Sequence, residues 1–238
     1  MAETTKKTIV SPQTGDKYTH IHHKSGLEIL VCEMEGYSTT EAMFGTKYGS
    51  INTPFQTAAD KDYCTVPEGI AHFLEHMVFN GSTHFKRGEM IPAMQKEGLG
   101  LGGDANAYTA FDETVYMMDV PSMKESTVDL AFTIMRDFAD GALLEESAID
   151  AERGIITSEY KVRDSAGYRV MKEVFSIMLD GTRIPDRYPI GTLEVIRTAP
   201  REKFINYYRT HYVPSQMQLV IAGDITPEQG KAWVEKYF

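Results

Sequence analysis

His72-Phe73-Leu74-Glu75-His76 is the stretch on which the reading of this chain turns. Residues four apart on a helix share a face, so His72 and His76 can close on one cation while Glu75 lies beside them, free to take a proton. Two neutral imidazoles suit Zn²⁺, which takes about four ligands at roughly 2.0–2.2 Å for nitrogen and oxygen donors. The order H-x-x-E-H is the inverse of the commoner H-E-x-x-H of zinc hydrolases. Alone, the pentapeptide is only suggestive, since ordinary residue usage produces it in about two per cent of chains this long. Its flanks supply the helix: Pro67-Glu68-Gly69 begins it, Ile70, Phe73, Leu74, Met77 and Val78 give an apolar face, and Asn80-Gly81-Ser82 stops it.

A catalytic zinc takes three protein ligands and leaves the fourth position to water, so a third ligand has to come from elsewhere. Glu146–Lys161 reads as a helix, and its Glu152 and Glu159 stand seven residues, or two turns, apart on one face. By spacing alone such a pair is far more often two solvated acids on an ordinary amphipathic helix.

Several further stretches bear on that choice. Gly69 to Ser82, then Glu152-Arg153-Gly154-Ile155-Ile156-Thr157-Ser158-Glu159, together resemble the pitrilysin, insulin-degrading enzyme and mitochondrial processing peptidase family of metallopeptidases. Asp104-Ala105-Asn106-Ala107-Tyr108-Thr109, Asp112-Glu113-Thr114-Val115-Tyr116, Pro189-Ile190-Gly191-Thr192 and Leu219 to Asp224 match in the same order, and the resemblance runs over residues 25–238. It implies that His72, His76 and Glu159 bind one Zn²⁺, that Glu75 is the general base activating a zinc-bound water, and that Glu152 is a supporting acid in catalysis. It also implies that the strand around Asn106 and Ala107 pairs with a peptide substrate; a plain β-hairpin of 106–109 with 114–120 is the alternative for any one side chain there.

The glycine-rich 98–103 segment is no phosphate loop, because no Lys-Ser/Thr follows it and a strand stands where a helix is needed. Composition fits one soluble domain: 238 residues with 42% hydrophobic content can bury a substantial core. A net charge of −10 argues against a nucleic-acid surface and against anionic membranes. No apolar run approaches the roughly 20 residues of a membrane span, and Met1–Lys7 has no secretory core, so a cytoplasmic location is expected. Cys32 and Cys64 are too few for a disulfide framework and read as reduced residues. His20, His22 and His23 lie in a first hairpin strand and have only adventitious metal-binding capacity, while His84 and His211 read as packing residues.

Strands are predicted near 17–23, 27–33, 39–48, 103–109, 113–120 and 216–222. Helices are predicted near 67–79, 87–97, 123–139, 146–161, 165–179, 201–208 and 227–237, with residues 1–16 a candidate loose N-terminal segment. Strands and helices without strict alternation imply an α+β fold, helices packed on a mostly antiparallel mixed sheet, as a single metallopeptidase domain of the LuxS/processing-peptidase-like type over 1–238. Family members join at least two homologous domains that close over the zinc. The resemblance therefore implies a partner outside this chain, either a C-terminal domain, a partner subunit or a second copy in a homodimer. The expected function is zinc-dependent endopeptidase action on peptides or small unfolded proteins; the alternative is a non-catalytic peptide-binding or scaffold subunit of the same family.

Overall fold

The structure is a computed structural model and describes residues 4–52, 66–120 and 124–238. Four strands come first, β1 (Thr5–Val10), β2 (Lys17–His22), β3 (Glu28–Glu33) and β4 (Thr40–Thr46), followed by helices α1 (Ile70–Met77) and α2 (Met90–Lys96). A hairpin of β5 (Ala105–Thr109) and β6 (Thr114–Val120) leads into α3 (Glu125–Arg136), α4 (Glu146–Arg163), α5 (Ala166–Met178), α6 (Leu193–Thr198) and α7 (Arg201–His211). The strand β7 (Met217–Gly223) and α8 (Pro227–Tyr237) complete the order.

The strands form one sheet in the order β1-β2-β3-β7-β4-β6-β5, with β3 and β7 parallel and every other pair antiparallel. This is the α+β architecture that the patterning predicts. Alternation is strict on the inner strands: Ala42 and Phe44, Leu219 and Ile221, Tyr116 and Met118 are buried on one face. Their neighbours Met43, Val220 and Met117, with Leu30 on β3, are only half-buried on the other. The helices therefore lie on one side, as period-2 strands with one packed face require.

Two tight approaches fix the helix that carries the histidines. Gly69 caps α1 at φ +86°, and a Cβ there would stand 2.8 Å from the Cα of Gly191, itself at φ +70°. Only paired glycines let the α1 entry lie against the Tyr188–Gly191 turn, which gives Gly191 a physical reason to occur in that stretch. At the far end, Ser82 Oγ (2.5 Å), the His84 backbone N–H (3.0 Å) and His84 Nδ1 (2.7 Å) all bond the buried Asp137 carboxylate, tying the loop after α1 to the end of α3.

Several expectations need correction. Residues 5–10 are not loose but pair along their whole length with β2; all six are exposed, so no alternation marks them. The predicted helix over 123–139 breaks at Arg136 and continues as a π-helical turn, Asp137–Gly141, where Asp137 turns inward to its partners. The 87–97 helix shortens to α2, and the 201–208 helix runs on to His211. His84 is no packing residue, since its side chain is 55% exposed. His20 and His22 share the Glu28 carboxylate, whereas His23 turns to the buried side and meets Ser25. Cys32 is half-buried and unpaired; Cys64 lies outside the described residues.

Candidate metal centre

Seven of the eight α1 residues are buried, Glu75 among them. The Phe73 ring meets Phe204 of α7 edge-on at 4.7 Å, with the Arg153 guanidinium 5.9 Å from its centroid. Arg153 in turn donates 2.8 Å hydrogen bonds to the Ile196 and Ala199 carbonyls at the end of α6. That residue holds α4 against α1 in a fixed register, and the register brings Glu152 and Glu159 to the histidines.

One donor atom each from His72, His76 and Glu159 lie within 4.8 Å of one another. His72 Nε2 is 3.4 Å from Glu159 Oε1, and His76 Nε2 is 3.4 Å from Glu159 Oε2. Donors held about 2.0–2.1 Å from one tetrahedral centre stand about 3.3–3.4 Å apart, so the residues fit zinc in number and chemistry, and the two His–Glu159 separations match that spacing, each through a different Glu159 oxygen. His72 Nδ1 is buried without a hydrogen-bond partner among the described residues, which leaves Nε2 as its polar contact.

Glu152 does not enter the donor set. Its Oε1 lies 3.0 Å from His76 Nδ1, and its Oε2 accepts from Asn80 Nδ2 at 3.0 Å. A carboxylate on the far nitrogen of a ligating imidazole fixes tautomer and ring orientation. Asn80 also donates to the His76 carbonyl at 3.1 Å, clamping the end of α1 to α4. Burial alone lowers the His76 pKa, but its hydrogen bonds to the Glu152 and Glu159 carboxylates and the Glu75 charge overrule it and carry it up to about 9. Burial alone would likewise raise Glu159, yet His72, His76 and the Arg163 guanidinium hold it well below the usual carboxylate range. A cation binding here displaces a proton from His76, so its affinity falls as pH is lowered.

The donors open on a cleft of about 790 Å³ that Asn106, Ala107 and Thr109 of β5 also line. Thr109 Oγ1 donates to Glu75 Oε2 at 2.7 Å. Ala107 faces α1 like Thr109, while Asn106 is exposed on the alternate face of the same strand. Sequence reasoning missed Thr109 and Asn80. It also missed Arg163, whose Nε donates to Glu159 Oε1 at 3.0 Å; an i,i+4 Glu-Arg pair is a signal that could have found it.

The insulinase model (peptidase family M16) matches residues 64–185, a span that takes in both helices of the donor set. The chain belongs to that family. A second model of the family, the peptidase M16 inactive domain, matches residues 198–238. The chain is 33% identical over 167 residues to the probable zinc protease PqqL of Escherichia coli, a match covering 70% of this chain and 18% of that protein. It is 32% identical over 224 residues to the uncharacterized zinc protease YmfH of Bacillus subtilis, 93% of this chain and 49% of that one. The crystal structure of the first half of the periplasmic protease PqqL from E. coli superposes with a TM-score of 0.84 at 26% identity, over 97% of this chain and 47% of that chain. The chain thus spans less than half the length of these relatives.

Proposed function

We propose that this M16 chain is the catalytic domain of a zinc-dependent endopeptidase acting on peptides or small unfolded proteins. The observation that carries the reading is the meeting of His72, His76 and Glu159 donors within 4.8 Å, beside Glu75 and at the edge of a cleft that an extended peptide could fill. Zinc bound by those three residues supplies a Lewis acid and an acidified water, with a pKa near about 7. Glu75 takes the water's proton at Oε1, which has no hydrogen-bond partner among the described residues, and returns it to the leaving amine. Glu152 keeps the His76 ring aimed. A peptide pairing with the outer edge of β5 presents its carbonyl to the site, and Asn106 and Ala107 supply backbone bonds that read shape more than sequence. The matched relatives extend well beyond the length of this chain, which leaves room for a homologous C-terminal domain or a partner subunit in its stead, and we place it against α5, whose Val170, Val174, Ile177 and Met178 are exposed.

The test is cleavage of quenched fluorescent peptides by zinc-loaded protein, alone and with a supplied C-terminal half. Glu75→Gln should keep zinc and lose about 10²–10⁴-fold in turnover. His76→Ala and Glu159→Ala should lose the metal itself. Equal zinc retention in all three variants would refute the ligand assignment, and no cleavage under either condition would refute the peptidase.

A further inference from the structure

We infer that Thr109 is a positioning residue for the base: its hydroxyl decides which Glu75 oxygen faces the reacting water and ties that carboxylate to the strand that receives the peptide. The inference rests on the peptidase reading. Its observation is the 2.7 Å bond from Thr109 Oγ1 to Glu75 Oε2, the one hydrogen bond the Glu75 side chain makes among the described residues. Glu75 is 8% exposed and rides on a packed helix, so its Cα is fixed. The terminal torsion of a glutamate is not fixed, since its wells are broad and roughly two-fold. One directed donor is what separates the two carboxylate orientations.

The donor is itself held by register. Thr109 ends β5 opposite Thr114, and Ala110 N–H to Glu113 O, 2.8 Å, closes the hairpin beyond it. A slip of one residue would turn Thr109 away and present Tyr108 to Glu75. The β-branched side chain narrows χ1 further. β5 is the edge strand, and Asn106 and Ala107 lie three and two residues upstream of the hydroxyl. A peptide that adds to this edge therefore stiffens the strand on which the base depends, and tight binding along β5 is felt in kcat as well as in KM.

Thr109→Val removes the hydroxyl and keeps the shape; Thr109→Ser keeps the hydroxyl. Zinc-loaded Thr109→Val should retain its metal and its KM for a given peptide, lose about 10–100-fold in kcat, and recover most of it as Thr109→Ser. Crystal structures should show one Glu75 carboxylate orientation in the wild type and two in Thr109→Val; should that variant not fold, Thr109→Ala gives the same comparison. Wild-type kcat in Thr109→Val, zinc loss in step with kcat, or a single unchanged Glu75 orientation would each overturn the proposal. If the wild type cleaves nothing, the peptidase reading falls, and the carboxylate orientations still judge Thr109.

Discussion

Helices α1 and α5 are built from similar amounts of apolar residue and have opposite fates. Seven of the eight residues of α1 are buried, and none of the thirteen of α5. Yet α5 carries Val170, Val174, Ile177 and Met178 at spacings that put them on one side of a helix, exposed by 62%, 42%, 78% and 72%. Amphipathic pattern alone does not say what a helix packs on. The packing of α1 is complete within this chain, through Phe73 on Phe204 and the glycine contact at its entry, so the histidines are held before any partner arrives. The apolar side of α5 is the kind of surface a soluble domain reserves for an interface.

The largest break in that contrast is in the core under the histidines. Phe73→Ala removes a fully buried ring from between Phe204 and Arg153 and should cost about 3–5 kcal/mol in urea unfolding. A cost under about 1 kcal/mol would mean that α1 is held by its glycine entry and its loop rather than by this packing.

The buried half also carries a pH cost that the exposed half does not. His211, at the end of α7, is stacked on Tyr48 at 3.8 Å and edge-on to Tyr207 at 4.5 Å. Burial lowers its pKa to about 4, below its unfolded value, so the unfolded chain binds more protons between about pH 6.5 and 4. Stability should therefore fall as pH drops through that window, by up to about 3 kcal/mol from this group. His76 runs the other way in the metal-free protein: raised to about 9, it stabilises below about pH 6.5 and that contribution is lost as pH rises through 9. Urea midpoints of wild type and His211→Phe between pH 7 and pH 4 separate the two, and an unchanged slope in the variant would remove His211 from the account.

What could be read without the structure follows from the range of each contact. His72, Glu75 and His76 sit within one turn and a half of helix, so helical periodicity presents them directly; it puts Glu152 and Glu159 on one face two turns apart on another helix, but only the family resemblance sets them apart from ordinary solvated acids. Asn80 reads locally as a helix stop; its bond to Glu152 spans 72 residues, and the Thr109 bond to Glu75 spans 34. No local period encodes either. Sheet order is hidden for the same reason, since β7 enters between β3 and β4 from almost the far end of the chain. β1 is hidden because an exposed edge strand such as Thr5–Val10 has no buried face to impose alternation.

The smallest expected change in stability tests the exposed helix itself. Val174→Ser with Ile177→Ser replaces two exposed apolar side chains of α5 and should shift the unfolding free energy of this chain by less than about 0.5 kcal/mol, where Phe73→Ala shifts it several-fold more. The same pair should weaken association with a supplied C-terminal half by at least about tenfold, because truncating well-packed apolar anchors at an interface costs more than about 1 kcal/mol each. A destabilisation above about 1 kcal/mol in the chain alone would show that α5 packs within it and would dissolve the contrast with α1. Unchanged association would leave the contrast standing and move the interface elsewhere, with the half-buried Leu30, Met43, Met117 and Val220 of the sheet as the next surface to alter.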